Sequence, residues 1–139
     1  MSVINSMKLN IEAKSQNESF ARSVIASFFV QINPTLEQIE DLKTAVSEAV
    51  TNCIVHAYGG SQSGAIDISC DLSENNIEIR ITDYGKGIED IGKAMQPFFT
   101  TGTEGERSGM GFTVMQAFCD KVNVTSQNGQ TTVTLTKNI

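Results

Sequence analysis

Apolar and polar residues alternate in five stretches of the chain, which is the pattern of strands that bury one face. The stretches are 7–14, 65–72, 77–82, 121–126 and 131–136. Turn-forming residues separate the second stretch from the third (73–76) and the fourth from the fifth (Asn128-Gly129). The pattern therefore predicts one separate strand followed by two antiparallel hairpins.

Other stretches place apolar residues three or four positions apart, as on one face of a helix. The first predicted helix carries such a stripe at Phe20, Val24, Ile25, Phe28 and Phe29. In order, the predicted helices run from a cap at Ser15 or Asn17 to Asn33-Pro34, from Thr35 to about Tyr58, and from Ser108 to about Cys119, with a short one near 88–95.

The order of elements is β-α-α-β-β-loop-α-β-β. Helices that stack on one face of a mostly antiparallel sheet form a two-layer α/β sandwich, and this is the fold class that we predict. The chain has 139 residues, 40% of them hydrophobic, so we expect a single domain, 1–139, around one core. The pattern does not determine the order of the strands in the sheet.

Charge and hydropathy exclude several classes of partner and location. The formal net charge of −6 argues against nucleic acid or an anionic membrane, because binding to either depends on lysine and arginine. The chain has no long apolar run and no charged start leading into one, so we expect neither a membrane span nor a signal peptide. Three widely spaced cysteines in apolar surroundings suit a cytoplasmic protein with reduced thiols.

The first of three segments with candidate chemistry is Glu48-Ala-Val-Thr-Asn52. Its two polar ends lie one turn apart on the same side of the second helix and flank the apolar stripe. A carboxamide oxygen suits Mg²⁺, and a carboxylate one turn away could accept a proton from an attacking hydroxyl or orient it. Considered alone, this segment is more typical of a solvated helix face.

The second segment, Asp83-Tyr-Gly85-Lys-Gly87, lies where the third predicted strand ends. Two glycines let the backbone approach a flat ring closely, and a carboxylate can accept a hydrogen bond from an exocyclic amine such as that of adenine. An ordinary turn uses the same residues, so this segment alone leaves both interpretations open.

The third segment, Arg107-Ser108-Gly109-Met110-Gly111, opens the last predicted helix. Free N–H groups at a helix start bind anions, and an arginine there can reach a terminal phosphate. Glycine costs a helix about 1 kcal/mol relative to alanine, so two glycines in a first turn indicate a function. The polar stretch 98–105 before it is typical of a lid. Together, the three segments predict a site for ATP and Mg²⁺.

These segments, in this order, resemble the Bergerat ATP-binding fold of gyrase, heat-shock chaperones, histidine kinases and MutL. More narrowly, the chain is similar to the anti-sigma-F family of sporulating bacteria, whose members are small serine kinases. The similarity covers nearly the whole chain, and its last run is the most specific. The runs that carry it are Asn17–Arg22, Ser47–Asn52, Phe99–Thr101 and Glu106–Phe112.

The resemblance implies a cytoplasmic homodimer that binds ATP and Mg²⁺, inhibits the sporulation sigma factor F and phosphorylates a serine of an anti-anti-sigma protein. By position it makes Glu48 the catalytic base, Arg107 a catalytic contact to the γ-phosphate, and Asn52 the Mg²⁺ ligand. Arg22 matches a position that grips partner proteins. The residues that it implies in nucleotide binding are Asn52, Asp83, Gly85, Gly87, Thr101, Ser108, Gly109, Met110, Gly111 and Thr131.

The chain departs from the family pattern at a few positions. Gly102 and Thr103 stand where the family has Lys-Pro, Tyr84 where Glu is common, and Gln130 in place of a glycine. Two alternatives therefore stay open: a nucleotide-gated module that binds a sigma factor with little kinase activity, and a related stress-response serine kinase. Transfer of label from ATP to an antagonist distinguishes a kinase from the first alternative. Capture of sigma factors distinguishes an anti-sigma-F protein from the second alternative.

Overall fold

The computed structural model describes residues 2–58, 64–85, 111–127 and 129–139. The predicted short helix near 88–95, the lid and the start of the last predicted helix at 108–110 lie outside these ranges. Within them, the chain forms β1 (Asn5–Glu12), α1 (Gln16–Phe29), α2 (Leu36–Asn52), β2 (Ala65–Leu72), β3 (Asn76–Asp83), α3 (Gly111–Phe118), β4 (Lys121–Gln127) and β5 (Gln130–Asn138).

The strands form one sheet in the order β1-β2-β3-β5-β4, and every neighbouring pair is antiparallel. Both predicted hairpins are confirmed, and Gly129, with a φ of 74°, forms the turn of the second. β5 lies between β3 and β4, an order that local patterns do not reveal. As a result, Asp83 at the end of β3 faces Thr131 on β5 and Ile66 on β2.

One face of the sheet and the helices enclose the core. Every second residue of β2 and β3 is buried, as alternation requires. These side chains are Ile66, Ile68, Cys70, Leu72, Ile77, Ile79 and Ile81, and α2 adds Leu42, Val46 and Ala49 to the same cluster. The predicted fold class, a two-layer α/β sandwich with an antiparallel sheet, is therefore confirmed.

The opposite face of the sheet is polar and carries a network around Arg80. Its Nη2 lies 2.9 Å from Oδ2 of Asp71, its Nε donates to Ser69 over 3.0 Å, and its Nη1 pairs with Glu78. Asp71 and Glu78 stand directly opposite each other on β2 and β3. The guanidinium therefore joins two carboxylates that would otherwise repel each other.

α1 departs from its predicted pattern in two places. Phe20 is 51% exposed, so its assignment to the apolar stripe was wrong, and Ala21 takes the buried position beside it. Neither predicted N-cap side chain caps the helix: Ser15 occupies the N-cap position without a side-chain cap bond, and Asn17 donates instead to the carbonyl of Glu12 over 2.9 Å. The start of α1 therefore has no side-chain cap, and the helix buries Ala21, Ile25, Phe28 and Phe29.

α2 begins and ends with well-defined features. Thr35 and Gln38 form a reciprocal capping box at its start. After Asn52 the helix widens into one π-helical turn, Cys53–Ala57, which the bond from the Tyr58 N–H to the Cys53 carbonyl closes over 3.3 Å. The candidate residues Glu48 and Asn52 therefore lie just before a change of pitch. No helix in the described ranges is long and apolar enough to cross a membrane.

Candidate functional site

Asn52 at the end of α2 lies against Gly111 at the start of α3. A Cβ built on Gly111 would lie 2.9 Å from Nδ2 and 3.0 Å from Oδ1 of Asn52. Only glycine leaves room for the carboxamide at this distance. The structure therefore brings the first and third candidate segments together, and it gives Gly111 a packing reason within the first turn of its helix.

Asp83 joins the same region from the sheet. Its carboxylate is buried, with 6% of the residue exposed, and its Oδ1 accepts a hydrogen bond from the Gly85 N–H over 3.1 Å. The π-helical turn of α2 packs against β3, and the thiol of Cys53, the residue after Asn52, lies near this carboxylate. The second segment thus meets the first at the π-helical turn of α2.

Burial dominates the electrostatics of this carboxylate. Desolvation raises the pKa of Asp83, while the hydrogen bond from the Gly85 N–H and the nearby Cys53 thiol lower it by smaller amounts. Burial and the neighbouring Asp83 charge raise the pKa of the Cys53 thiol well above its ordinary value, so the thiol keeps its proton. A poorly hydrated carboxylate gains from a further donor, which is what an exocyclic amine would provide.

Thr131 lies beside Asp83 in the register of β3 and β5, and it is buried. Its hydroxyl lies 2.8 Å from the hydroxyl of Ser126 on β4. The structure therefore places Thr131 next to the candidate adenine contact, as part of a hydroxyl pair. Its role in nucleotide binding stays a prediction.

Glu48 and Arg22 lie on neighbouring helices. Glu48 is half-buried on α2, one turn before Asn52. Arg22 on α1 donates from Nη1 to the hydroxyl of Ser47 over 3.0 Å and from Nη2 to that of Ser19 over 3.3 Å. Arg22, the predicted partner contact, is therefore hydrogen-bonded to Ser47, the residue directly before the predicted base Glu48.

Several predicted site residues lie outside the described residues: Gly87, Thr101, Arg107, Ser108, Gly109 and Met110. Two residues beside the site were not singled out from the sequence. Cys53 was interpreted as a core thiol, and no sequence signal marks it as a partner of Asp83. Tyr58 was interpreted only as a helix end, although a half-buried tyrosine needs a partner for its hydroxyl, and that requirement is a usable signal.

Comparisons with known proteins match the sequence of this chain to a family. Residues 11–137 match the family of histidine kinase-like ATPase domains. The anti-sigma F factor of Thermoanaerobacter sp. (strain X514) is 58% identical over 140 residues, which cover 100% of this chain and 97% of that protein. The anti-sigma F factor of Clostridium novyi (strain NT) is 52% identical over 90% of this chain and 89% of its own length.

Solved structures share the fold at low sequence identity. A structure of the RsbU and RsbW domains of a Mycobacterium tuberculosis protein superposes with a TM-score of 0.69 at 19% identity, covering 96% of this chain and 32% of that one. The catalytic domain of the histidine kinase ThkA gives 0.61 at 13% identity, covering 97% and 96%. The chain therefore belongs to the anti-sigma F factor family and carries an ATP-binding domain of the histidine kinase type.

Proposed function

We propose that this chain is an anti-sigma factor that binds the sporulation sigma factor F and uses ATP and Mg²⁺ to phosphorylate a serine on an anti-anti-sigma protein. The family supports the general activity. The observation that carries the proposal is the convergence of the candidate segments, in which Asn52 lies against Gly111 and Cys53, the next residue, lies near the Asp83 carboxylate. The 139 residues act as one domain, in the cytoplasm, as a homodimer.

Asp83 recognises adenine in this proposal. Its Oδ1 accepts a hydrogen bond from the Gly85 N–H, and an exocyclic amine would donate a further hydrogen bond to the carboxylate. Burial makes the contact selective, because a ring that offers a carbonyl instead of an amine would leave the carboxylate facing another acceptor.

Asn52 holds Mg²⁺ and Gly111 approaches the phosphates. Mg²⁺ uses one or two protein oxygens and completes its shell with phosphate oxygens and water. A half-buried carboxamide beside a glycine at a helix start fits that requirement, because the absence of a Cβ on Gly111 leaves room for the amide itself. When bound, the ion would neutralise charge on the phosphates. Arg107 and the N–H groups of 108–110 are predicted from the sequence to add further positive charge.

Glu48 orients the hydroxyl of the substrate serine. As its oxygen bonds to the γ-phosphorus, the serine proton passes to the carboxylate, the bond from phosphorus to the β–γ bridging oxygen breaks, and ADP leaves. The position of Glu48 one turn before Asn52 sets the base beside the predicted metal ligand. Arg22, bonded to Ser47, would hold the partner protein on the same side.

Transfer of the γ-phosphate tests the proposal directly. Purified protein would be incubated with γ-labelled ATP, Mg²⁺ and a candidate anti-anti-sigma protein, and the label would be located by mass spectrometry. Glu48→Gln should retain ATP binding and lose transfer by about a hundredfold or more. Glu40→Gln is the matched control, since Glu40 is an exposed acid on the same helix. It should transfer as fast as wild type.

Each outcome separates the candidate functions. Label on a serine of the antagonist supports the kinase, and transfer by Glu48→Gln at the wild-type rate would refute Glu48 as the base. ATP binding without transfer would favour the nucleotide-gated binding module. Capture of purified sigma factor F by wild type, with weaker capture by Arg22→Ala at unchanged ATP affinity, supports the partner assignment. Capture of a different sigma factor would favour the stress-response kinase.

A further inference from the structure

The hydroxyl of Tyr58 links three parts of the chain beside the site. Tyr58 follows the π-helical turn at the end of α2. Its Oη donates to the carbonyl of Ala65, the first residue of β2, over 2.7 Å, and accepts from the N–H of Tyr84 over 2.7 Å. A single hydroxyl therefore joins the end of α2 to the start of β2 and to the bend that follows β3.

The bend itself is held by two bonds, one at each residue after Asp83. β3 ends at Asp83, and the next N–H, that of Tyr84, is bound by Tyr58. The following N–H, that of Gly85, donates to Oδ1 of Asp83. Because both N–H groups are engaged, the backbone path and the direction of the carboxylate are fixed together. Loss of the first bond would release the backbone N–H of Tyr84, the residue that connects the carboxylate to its own donor.

The ring of Tyr58 has a defined position over Gly64. A Cβ at residue 64 would lie 2.2 to 2.5 Å from three ring carbons, so the ring occupies the space above this glycine. Burial is the largest cause that raises the pKa of Tyr58, and the hydroxyl therefore stays protonated and can donate while it accepts. A hydroxyl that does both in a chain of bonds strengthens each of them.

Tyr84 carries a second, independent restraint through its side chain. Its ring is 48% exposed, and its hydroxyl donates to Oδ2 of Asp67 on the polar face of the sheet. This contact involves the side chain, whereas Tyr58 binds the backbone N–H of the same residue. The two restraints can therefore be removed separately by changing one phenol oxygen at a time.

We propose that Tyr58 is a positioning residue of the nucleotide site, whose hydroxyl fixes the bend after Asp83 and so directs the carboxylate at adenine. The inference rests on the proposed function, in which Asp83 binds the exocyclic amine. A misdirected carboxylate loses its bond to adenine and leaves the phosphate contacts intact. We expect Tyr58→Phe to weaken ATP binding about tenfold, the value of a well-aligned hydrogen bond to a charged group.

The test compares wild type, Tyr58→Phe and Tyr84→Phe in the full-length protein. ATP and GTP, each with Mg²⁺, are titrated calorimetrically, and phosphoryl transfer gives KM and kcat. Tyr58→Phe should lose most of its preference for ATP over GTP and raise KM for ATP with kcat unchanged. Tyr84→Phe keeps its backbone N–H and should stay within about twofold of wild type. General loss of stability would not change the preference between the nucleotides.

The outcomes distinguish this inference from the proposed function. If wild type prefers ATP over GTP and Tyr58→Phe shows the same preference, the positioning role of Tyr58 is overturned. The role of Asp83 is then unaffected. Failure of wild type to bind ATP, or equal binding of ATP and GTP, would overturn the role of Asp83 first. If Tyr58→Phe does not fold, the rate of hydrogen exchange of the Tyr84 amide in wild type tests its hydrogen bond to Tyr58 instead. Protection comparable to that of the β3 ladder supports the bond, and exchange at the rate of an exposed turn refutes it.

Discussion

The side-chain amide of Asn52 occupies the space that a Cβ at Gly111 would need. The two residues come from different helices and from different candidate segments, and the ideal Cβ would lie 2.9 Å from Nδ2 of Asn52. The contact makes the carboxamide a sensitive point of the site, because the direction of its oxygen depends on the absence of a methyl group across the interface.

Gly111→Ala should impair nucleotide binding more than folding. The added methyl would push the amide of Asn52 aside, and a side-chain end can move at low cost in stability. We expect the affinity for ATP–Mg²⁺ to fall about tenfold, while the midpoint of thermal unfolding changes little. Gln116→Ala, at an exposed position of α3, should bind as wild type does. Unchanged ATP affinity in Gly111→Ala would contradict the assignment of Asn52.

Asp83→Asn should become relatively more stable as the pH rises. The folded pKa of Asp83 is raised above 3.8 by burial, so its contribution to stability is complete below that value and is lost as pH rises through the folded pKa. Asparagine does not ionise. Urea unfolding at a series of pH values should therefore show that the free energy of unfolding of the variant, relative to that of wild type, increases with pH. The variant should lose ATP binding.

Asp67→Asn gives the opposite sign and serves as the contrast. Hydrogen bonds from Tyr84 and then Asn10 lower the pKa of Asp67 below 3.8. Its stabilisation is therefore present above 3.8 and lost on acidification through the lower folded pKa. The variant should be less stable than wild type at neutral pH and approach it in acid. If the stability difference between variant and wild type changed with pH in the same direction for both variants, burial would not be the dominant effect on the pKa of Asp83.

Thr35→Ala should destabilise the protein through the start of α2. The variant loses the side-chain bond to the Gln38 N–H, which is 3.1 Å long. We expect a loss of about 1 kcal/mol in the free energy of unfolding, measured by urea denaturation. Ser15→Ala is the matched control, because Ser15 holds the N-cap position of α1 without a side-chain cap bond. It should change stability by a few tenths of a kcal/mol at most. Equal effects would refute the capping box.

Arg80→Ala should expose a repulsion on the polar face of the sheet. Without the guanidinium, the carboxylates of Asp71 and Glu78 face each other across β2 and β3 without the cation that joins them. We expect a loss of about 1 kcal/mol, reduced by high salt. Lys43→Ala removes the more exposed pair with Glu40 on α2 and should cost less than about 0.5 kcal/mol. A loss for Arg80→Ala that is independent of salt would indicate packing rather than charge.

Local patterns predicted the elements well because each depends on residues close in sequence. The alternation from Ala65 to Leu72 and the turn at 73–76 determine a hairpin without any distant contact. Phe20 shows the limit of the method, since helical spacing defines a stripe but not its edges. Which edge of β3 receives β5 depends on the packing of the whole sheet, and the pattern contains no information about it.

The candidate site was predicted from the sequence where a residue is unusual for its element. Two glycines in a predicted first turn stand out because they cost helix stability, whereas Glu48 and Asn52 are candidates only together with the other two segments. Tyr58 and Cys53 are ordinary residues for a helix end and a core, and only the structure shows that Tyr58 binds the Tyr84 N–H and that Cys53 lies near the Asp83 carboxylate. Supporting contacts of this kind depend on distances between elements, which spacing does not encode.

The insertion of β5 between β3 and β4 has a consequence for synthesis on the ribosome. β3 can pair with β2 as soon as both have emerged, but its other edge stays open until Gln130–Asn138 is translated. Asp83 therefore gains Thr131 as a neighbour only after α3 and β4 have been made. A nascent chain that stalls before this point would hold a half-built pocket and an unprotected strand edge, the features that chaperones recognise.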